Sequence, residues 1–149
     1  MSEGLEFGLN NASEAQIAGH FSLGDADFNP PLSDRVDIYD YAKKITSKAT
    51  RFEAWSGDKL VGLVAAYCND QQQRVAFITS VSVLKDWMGK GIAANLVQQC
   101  IAHAKILGMR QISLEVQSDN LPAIGLYKKS GFMEGKTDAP FVAMDLYLE

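Results

Sequence analysis

The run LKDWMGKGIAANLV, residues 84–97, sets two glycines and a lysine directly before an apolar stretch with helical periodicity. Gly89 and Gly91 lack a Cβ, so the loop can curl and let an anion approach the amides of residues 89–94. A helix N-terminus adds unpaired N–H groups and the positive end of a dipole, both of which favour phosphate. A Walker-type loop needs Gly-Lys-Ser/Thr, but Lys90 is followed by Gly91, which leaves no hydroxyl for magnesium. A dinucleotide fingerprint, Gly-x-Gly-x-x-Gly or Ala, fits Gly89, Gly91 and Ala94 literally. It lies past the midpoint, after strands joined directly to one another, and too little chain follows for a doubly wound sheet.

The elements that must hold this loop read from the periodicity. LEFGL is a first strand, and Asn11, Ser13 and Glu14 begin a helix carrying Ile17, Ala18 and Phe21. Pro30 and Pro31 stop that helix, and Ser33 is expected to cap the next, in which Ile38, Tyr41, Ile45 and Ala49 recur at three- and four-residue steps. RFEAWSG and KLVGLVAAYCND form a hairpin turning at Gly57-Asp58, followed by a third strand, QRVAFITSVSVL. A helix from Gly91 carries Ile92, Leu96, Cys100, Ile101 and Ala104 on one face, with Gly108 as its stop. RQISLEVQ is a strand, a short helix has Pro122 in its first turn, and a strand pair ending in FVAMDLYLE closes the chain. Strands joined directly should be antiparallel and those joined through a helix parallel, giving a mixed sheet with helices on both faces.

Composition excludes several classes. The 149 residues suit a single domain spanning 1–149, with an ordinary 47% apolar and 21% charged residues. A net charge of −4 gives no footprint for nucleic acid. The longest apolar runs, such as LVGLVAAYC, fall far short of the ~20 residues that span a bilayer. No signal-peptide pattern is visible, so a cytoplasmic location is expected. Cys68 and Cys100 lie within apolar patterns as reduced core thiols, and His20 and His103 are isolated, so no metal site is expected.

VSVLKDWMGKGIAANLV followed by ISLEVQSDNLPAIGLYKKSGF resembles the acetyl-coenzyme A motif pair of the GCN5-related N-acetyltransferase (GNAT) superfamily. The alternating strand end is Val81-Ser82-Val83, and the Arg/Gln-x-x-Gly-x-Gly/Ala loop is Met88-Gly89-Lys90-Gly91-Ile92-Ala93. The next strand carries Leu114-Glu115-Val116, Asn120 opens the last helix, Tyr127 follows seven residues later, and Gly131-Phe132 ends it. The likeness covers residues 74–132 with its spacing intact. Met88 departs from it, since the family usually has arginine or glutamine there; Lys90, Lys128 and Lys129 are candidates to compensate.

The resemblance implies an α/β (α+β) fold, a mixed, mostly antiparallel sheet of six to seven strands flanked by about four helices. It further implies acetyl-CoA as co-substrate, with no metal, and acetyl transfer to a primary amine by direct attack. Residues 89–94 and Met88 would hold the pyrophosphate, Val81, Val83 and Asn120 the pantetheine arm, and Tyr127 would protonate the departing thiolate. Asn120 and Tyr127 stand two helical turns apart, about 10.5 Å along one face. Asn120 also suits an N-cap, and Tyr127 a core position. Glu115 resembles the glutamate used as base in the ribosomal-protein N-terminal acetyltransferase branch, with Asp70, Glu53 and Asp86 as distant alternatives. Phe28, Tyr39, Tyr41 and Tyr67 are candidate walls for a small-molecule or peptide amine, and Lys44, Lys48 and Arg51 read as one solvated helix face. A homodimer is left open. The other reading is a non-catalytic or sensory module that binds acetyl-CoA.

Overall fold

The computed structural model describes residues 4–28 and 31–148. Strand β1 (Leu5–Leu9) leads into helix α1 (Glu14–Gly24) and, past two short 3-10 turns, helix α2 (Ile38–Lys48). Strands β2 (Thr50–Ser56), β3 (Lys59–Tyr67) and β4 (Val75–Val83) form a meander. Helix α3 (Ile92–Ile106), strand β5 (Gln111–Gln117), helix α4 (Leu121–Lys129) and strands β6 (Met133–Asp138) and β7 (Phe141–Tyr147) complete the chain. They build one sheet in the order β1-β2-β3-β4-β5-β7-β6, antiparallel except for the β4–β5 pair. This is the mixed, mostly antiparallel sheet of seven strands with four helices that the resemblance implies.

Local chemistry sets most boundaries. Ser13 caps α1 through a capping box with Gln16, the hydroxyl accepting from the Gln16 amide while the Gln16 side chain accepts from the Ser13 amide. Gly57, at φ +59°, turns the β2–β3 hairpin, and Gly108, at φ +79°, ends α3. One cluster of apolar side chains packs α3 and α4 on one face of the sheet, and a second packs α1 and α2 on the other.

Three expectations are corrected. Asp37, not Ser33, caps α2, because Asp25 holds both the Ser33 amide and its hydroxyl in the preceding turn. Pro30 lies outside the described residues; Pro31 precedes that turn. Strands β1 and β2 pair antiparallel although two helices separate them: an α1–α2 hairpin returns the chain to the end it left. Arg51 lies on β2, buried, donating to the carbonyls of Ala12 and Thr46, and so belongs to no solvated helix face.

Gly62 on β3 positions the mouth of α3. A Cβ there would come within 2.8 Å of Ile92 Cγ2 and 3.4 Å of Leu96 Cδ1, so the first turn of the helix rests directly on the strand.

Candidate active site

Strand β4 carries an extra residue. Its register with β3 jumps from Ala65↔Ser80 to Ala66↔Ile78, leaving Thr79 unpaired in a bulge. Tyr41 of α2 pins that bulge: its hydroxyl donates to the Thr79 carbonyl at 2.7 Å and lies 2.7 Å from the Thr79 hydroxyl. A bulge bends its strand and ends regular pairing. Accordingly β4 pairs with β5 only at residues 75–77, against 111–113, and beyond that the two strands part.

The orientation of the freed edge follows from one hydrogen bond. The Leu84 amide donates to the Val61 carbonyl at 2.9 Å, making Leu84–Val61 a bonded antiparallel pair. Bonded and unbonded pairs alternate, so the main chain of Ser82 faces Leu63. The N–H and C=O groups of Val81 and Val83 therefore face away from β3, into the opening between β4 and β5.

That opening is the floor of a cleft of about 1020 Å³. On one face of the sheet its walls include Gly89, Gly91, Ala94, Asn120 and Tyr127; on the other they include His20, Phe28, Arg35 and Tyr41. The cleft thus joins the two faces through the split. Of the aromatic residues expected as acceptor walls, Phe28 and Tyr41 line it. Tyr39 and Tyr67 do not; Tyr39 is exposed, and Tyr67 lies under the Lys44 ammonium.

The mouth of α3 differs from those of the other three helices. Ser13, Asp37 and Asn120 each supply a side-chain oxygen to the first turn of their own helix, whereas α3 starts at Gly91 with no side-chain cap. Its first intrahelical bond runs from the Asn95 amide to the Gly91 carbonyl, so the amides of Ile92, Ala93 and Ala94 are left to an outside acceptor. Gly89 and Gly91 both sit at φ +78°, with open space where a Cβ would project. Donors, dipole and room together fit a phosphate group. Met88, 53% exposed, forms part of the same wall, while Lys90 is exposed beside it and adds nothing to the lining. Lys128 is engaged by Glu134 at 2.7 Å, and neither it nor Lys129 reaches the cleft.

Tyr127 is 6% exposed, packed edge-on to Phe132, and its position in the wall brings a phenol to the split. Burial pushes its pKa up to about 12. Asn120 uses its Oδ1 to cap α4, accepting from the Ala123 amide at 3.3 Å, and also lines the cleft. Glu115 is exposed, and it alternates with the buried Leu114 and Val116, which puts it on the face of α1 and α2.

The distant candidate bases are elsewhere. Glu53 is wholly buried, accepting from the amides of Asn11 and Ala12 and from Trp55 Nε1. Asp70 and Asp86 do not line the cleft. Cys68 and Cys100 are free and buried, and burial raises both thiol pKa values, that of Cys100 to about 12, which favours the thiol over the nucleophilic thiolate. No cluster of metal-ligating side chains occurs among the described residues.

Sequence reasoning passed over His20. It is not isolated: its ring lies between the Leu60 carbonyl and the Ser82 hydroxyl and forms part of the cleft wall. No local pattern links positions 62 residues apart; the single available signal was a histidine on the buried side of α1.

The seven-stranded, mostly antiparallel sheet with four helices is the fold of the acetyltransferase class. This chain belongs to the acetyltransferase (GNAT) family, whose model matches residues 18–132. It is 33% identical over 91 residues to the mycothiol acetyltransferase of Geodermatophilus obscurus, covering 58% of this chain and 30% of that protein. It is 29% identical over 126 residues to an N-alpha-acetyltransferase of Arabidopsis thaliana, covering 84% of this chain and 65% of that one. The chain therefore spans less than two thirds of the length of either relative. In fold it is similar to an N-acetyltransferase of Thermoplasma acidophilum solved with coenzyme A, with a TM-score of 0.74 at 14% identity over 96% of this chain and 99% of that one.

Proposed function

We propose that this protein, acting as a single domain, transfers the acetyl group of acetyl-CoA to a primary amine by direct attack. The observation that carries this reading is the uncapped mouth of α3, opening on a cleft that runs through the sheet to Tyr127. The amides of residues 89–94 bind the pyrophosphate, and Met88 flanks it. The free main-chain edge at Val81 and Val83 pairs with the pantetheine amides and directs an N–H at the acetyl oxygen. Asn120 holds the arm from α4, and Tyr127 donates to the sulfur as it leaves. The amine, on a small molecule or a peptide, arrives from the α1–α2 face, where Asp27, Glu115 and Asp119 outnumber Arg35 and favour a cation. The names of the relatives support the same chemistry.

The test has two parts. CoA at saturation should raise the melting temperature, since a ligand that binds only the folded state stabilises it. Thiol release from acetyl-CoA is then followed with an alanyl peptide amide and with N-acetyl-lysine amide as acceptors. No thermal shift overturns the cofactor reading. A shift without thiol release for either amine leaves a module that binds acetyl-CoA without transferring it.

A further inference from the structure

His20 is 3% exposed on α1, and both its ring nitrogens are engaged. Nδ1 lies 2.8 Å from the Leu60 carbonyl, which can only accept, so Nδ1 carries the proton. Nε2 of the neutral ring is then a lone pair, and the Ser82 hydroxyl donates into it at 2.6 Å. Burial lowers the His20 pKa below its usual 6.5, so the resting ring is neutral, while the bond to the Leu60 carbonyl opposes that shift by favouring the imidazolium.

Ser82 stands between the two residues whose main chain edges the split. Val81 and Val83 pack toward α3 and α4, so the Ser82 side chain projects to the opposite face, where the amine enters. Half-buried, its oxygen donates to His20 and keeps lone pairs for an N–H from the cleft. Tyr127 lies on the other side of the split. A group able to accept a proton and a group able to donate one thus line the same cleft from opposite faces of one sheet.

We propose that Ser82 and His20 together take the proton from the incoming ammonium, with Ser82 touching the amine and His20 acting through it. This rests on the transferase reading of the cleft. The ammonium passes a proton to Ser82 Oγ as the Ser82 proton moves to His20 Nε2, leaving a neutral amine and an imidazolium still bonded to Leu60. The nitrogen lone pair forms the C–N bond, the carbonyl π electrons move to oxygen and return, and the C–S bond breaks. The sulfur takes a proton from the Tyr127 hydroxyl, which the second nitrogen proton replenishes, and the imidazolium proton leaves to solvent. Ammonium and thioester become amide, thiol and one proton.

The other titratable groups facing this cleft are Asp27 after α1, Arg35 before α2, Tyr41 of α2, and Glu115 and Asp119 of β5 and the loop beyond. Leu60 and Ser82, the partners from β3 and β4, do not titrate. Glu115, exposed and single, has no comparable relay behind it.

The experiment compares wild type, Ser82→Ala and Ser82→Thr in thiol release from saturating acetyl-CoA with the alanyl peptide amide, across pH. Each variant is first required to keep the CoA-induced thermal shift. Below the α-amine pKa of about 8, the acceptor arrives as ammonium. There Ser82→Ala should lose about 100-fold in kcat with an unchanged KM for acetyl-CoA, the scale of general acid–base catalysis. The loss should shrink to a few-fold above that pKa, where the amine arrives neutral, and Ser82→Thr, which restores a hydroxyl, should recover most of the rate. A loss equal at every pH, or no loss, overturns the relay and leaves the transferase reading standing. Failure of Ser82→Ala to keep the thermal shift moves the same comparison to His20→Gln, whose amide can still donate to the Leu60 carbonyl and accept from Ser82 but cannot take up a proton; a loss equal at every pH, or no loss, there overturns the relay. Wild type that releases no thiol with either amine overturns both readings.

Discussion

Glu53 Oε2 accepts the Ala12 amide at 2.9 Å across 41 residues, tying the start of α1 to the second strand from a wholly buried position. The same carboxylate accepts the Asn11 amide and Trp55 Nε1 and stands 3.8 Å from Arg51 Nε. It is structural, and removing its charge should show that. Glu53→Gln places an amide N–H2 among donors and leaves Arg51 without its counter-charge. A loss of about 3–5 kcal/mol, as for one partner taken from a buried pair, is expected in denaturant unfolding. Thiol release per folded molecule should stay within about twofold of wild type, a difference too small to register as transition-state energy. A large fall in turnover at unchanged stability would instead make Glu53 part of the chemistry.

The two glycines with nearly the same φ, Gly91 at +78° and Gly108 at +79°, open and close the same helix. Both have open space for a Cβ, so alanine at either meets only the left-handed backbone penalty of about 1–2 kcal/mol. Gly91→Ala and Gly108→Ala should therefore lower stability alike. Only Gly91→Ala should also weaken CoA binding, because its methyl enters the anion's space and perturbs the amides that follow. Calorimetric titration with CoA separates the two; equal affinities would remove residues 89–94 as the pyrophosphate cradle.

What could be read without the structure was what short stretches decide for themselves. Ser13 and Gln16 make a capping box within four residues, and Gly89 and Gly91 advertise an anion loop because no side chain is needed to make it. The split of the sheet was not legible. It depends on Thr79 bulging out of β4, and the residue that pins it, Tyr41, lies 38 positions earlier. Ser33 misled because its hydroxyl is a good cap for any nearby helix, and only the fold brings Asp25 close enough to take it. His20 and Ser82 are ordinary residues in their own segments; their chemistry exists only once α1 lies against the bulged strand.

Tyr127 carries a pH prediction whose sign follows from burial. The apolar surroundings disfavour phenolate and raise the pKa from 10 to about 12, so the donor form persists through the working range. Tyr127→Phe should lower kcat about 10- to 100-fold, the worth of one strong hydrogen bond to a charged sulfur. The wild-type rate should show no alkaline limb at pH 10 that the variant lacks; such a limb would mean the phenol titrates as a free group. The raised value also sets a stability window. The contribution is complete below pH 10 and is lost as pH rises toward about 12, because the unfolded chain releases this proton first.

Met88 is the place where affinity for CoA can be raised. It is 53% exposed in the cleft wall beside two residues that bring no charge, Gly89 and Gly91, and Lys90 does not reach in. A guanidinium there could add a charge-assisted bond to a pyrophosphate oxygen, worth about 1.5–3 kcal/mol. Met88→Arg should therefore lower the Kd for CoA about ten- to a hundredfold. Because the gain is electrostatic and near the surface, it should shrink as ionic strength rises, whereas the wild-type affinity, resting on backbone amides, should respond less. Met88 caps the 3-10 turn at Lys85–Trp87 through its backbone alone, its amide donating to the Lys85 carbonyl at 3.2 Å, so a new side chain should leave stability unaffected. An unchanged Kd at low salt would mean that the anion sits deeper in the α3 mouth than position 88 can reach.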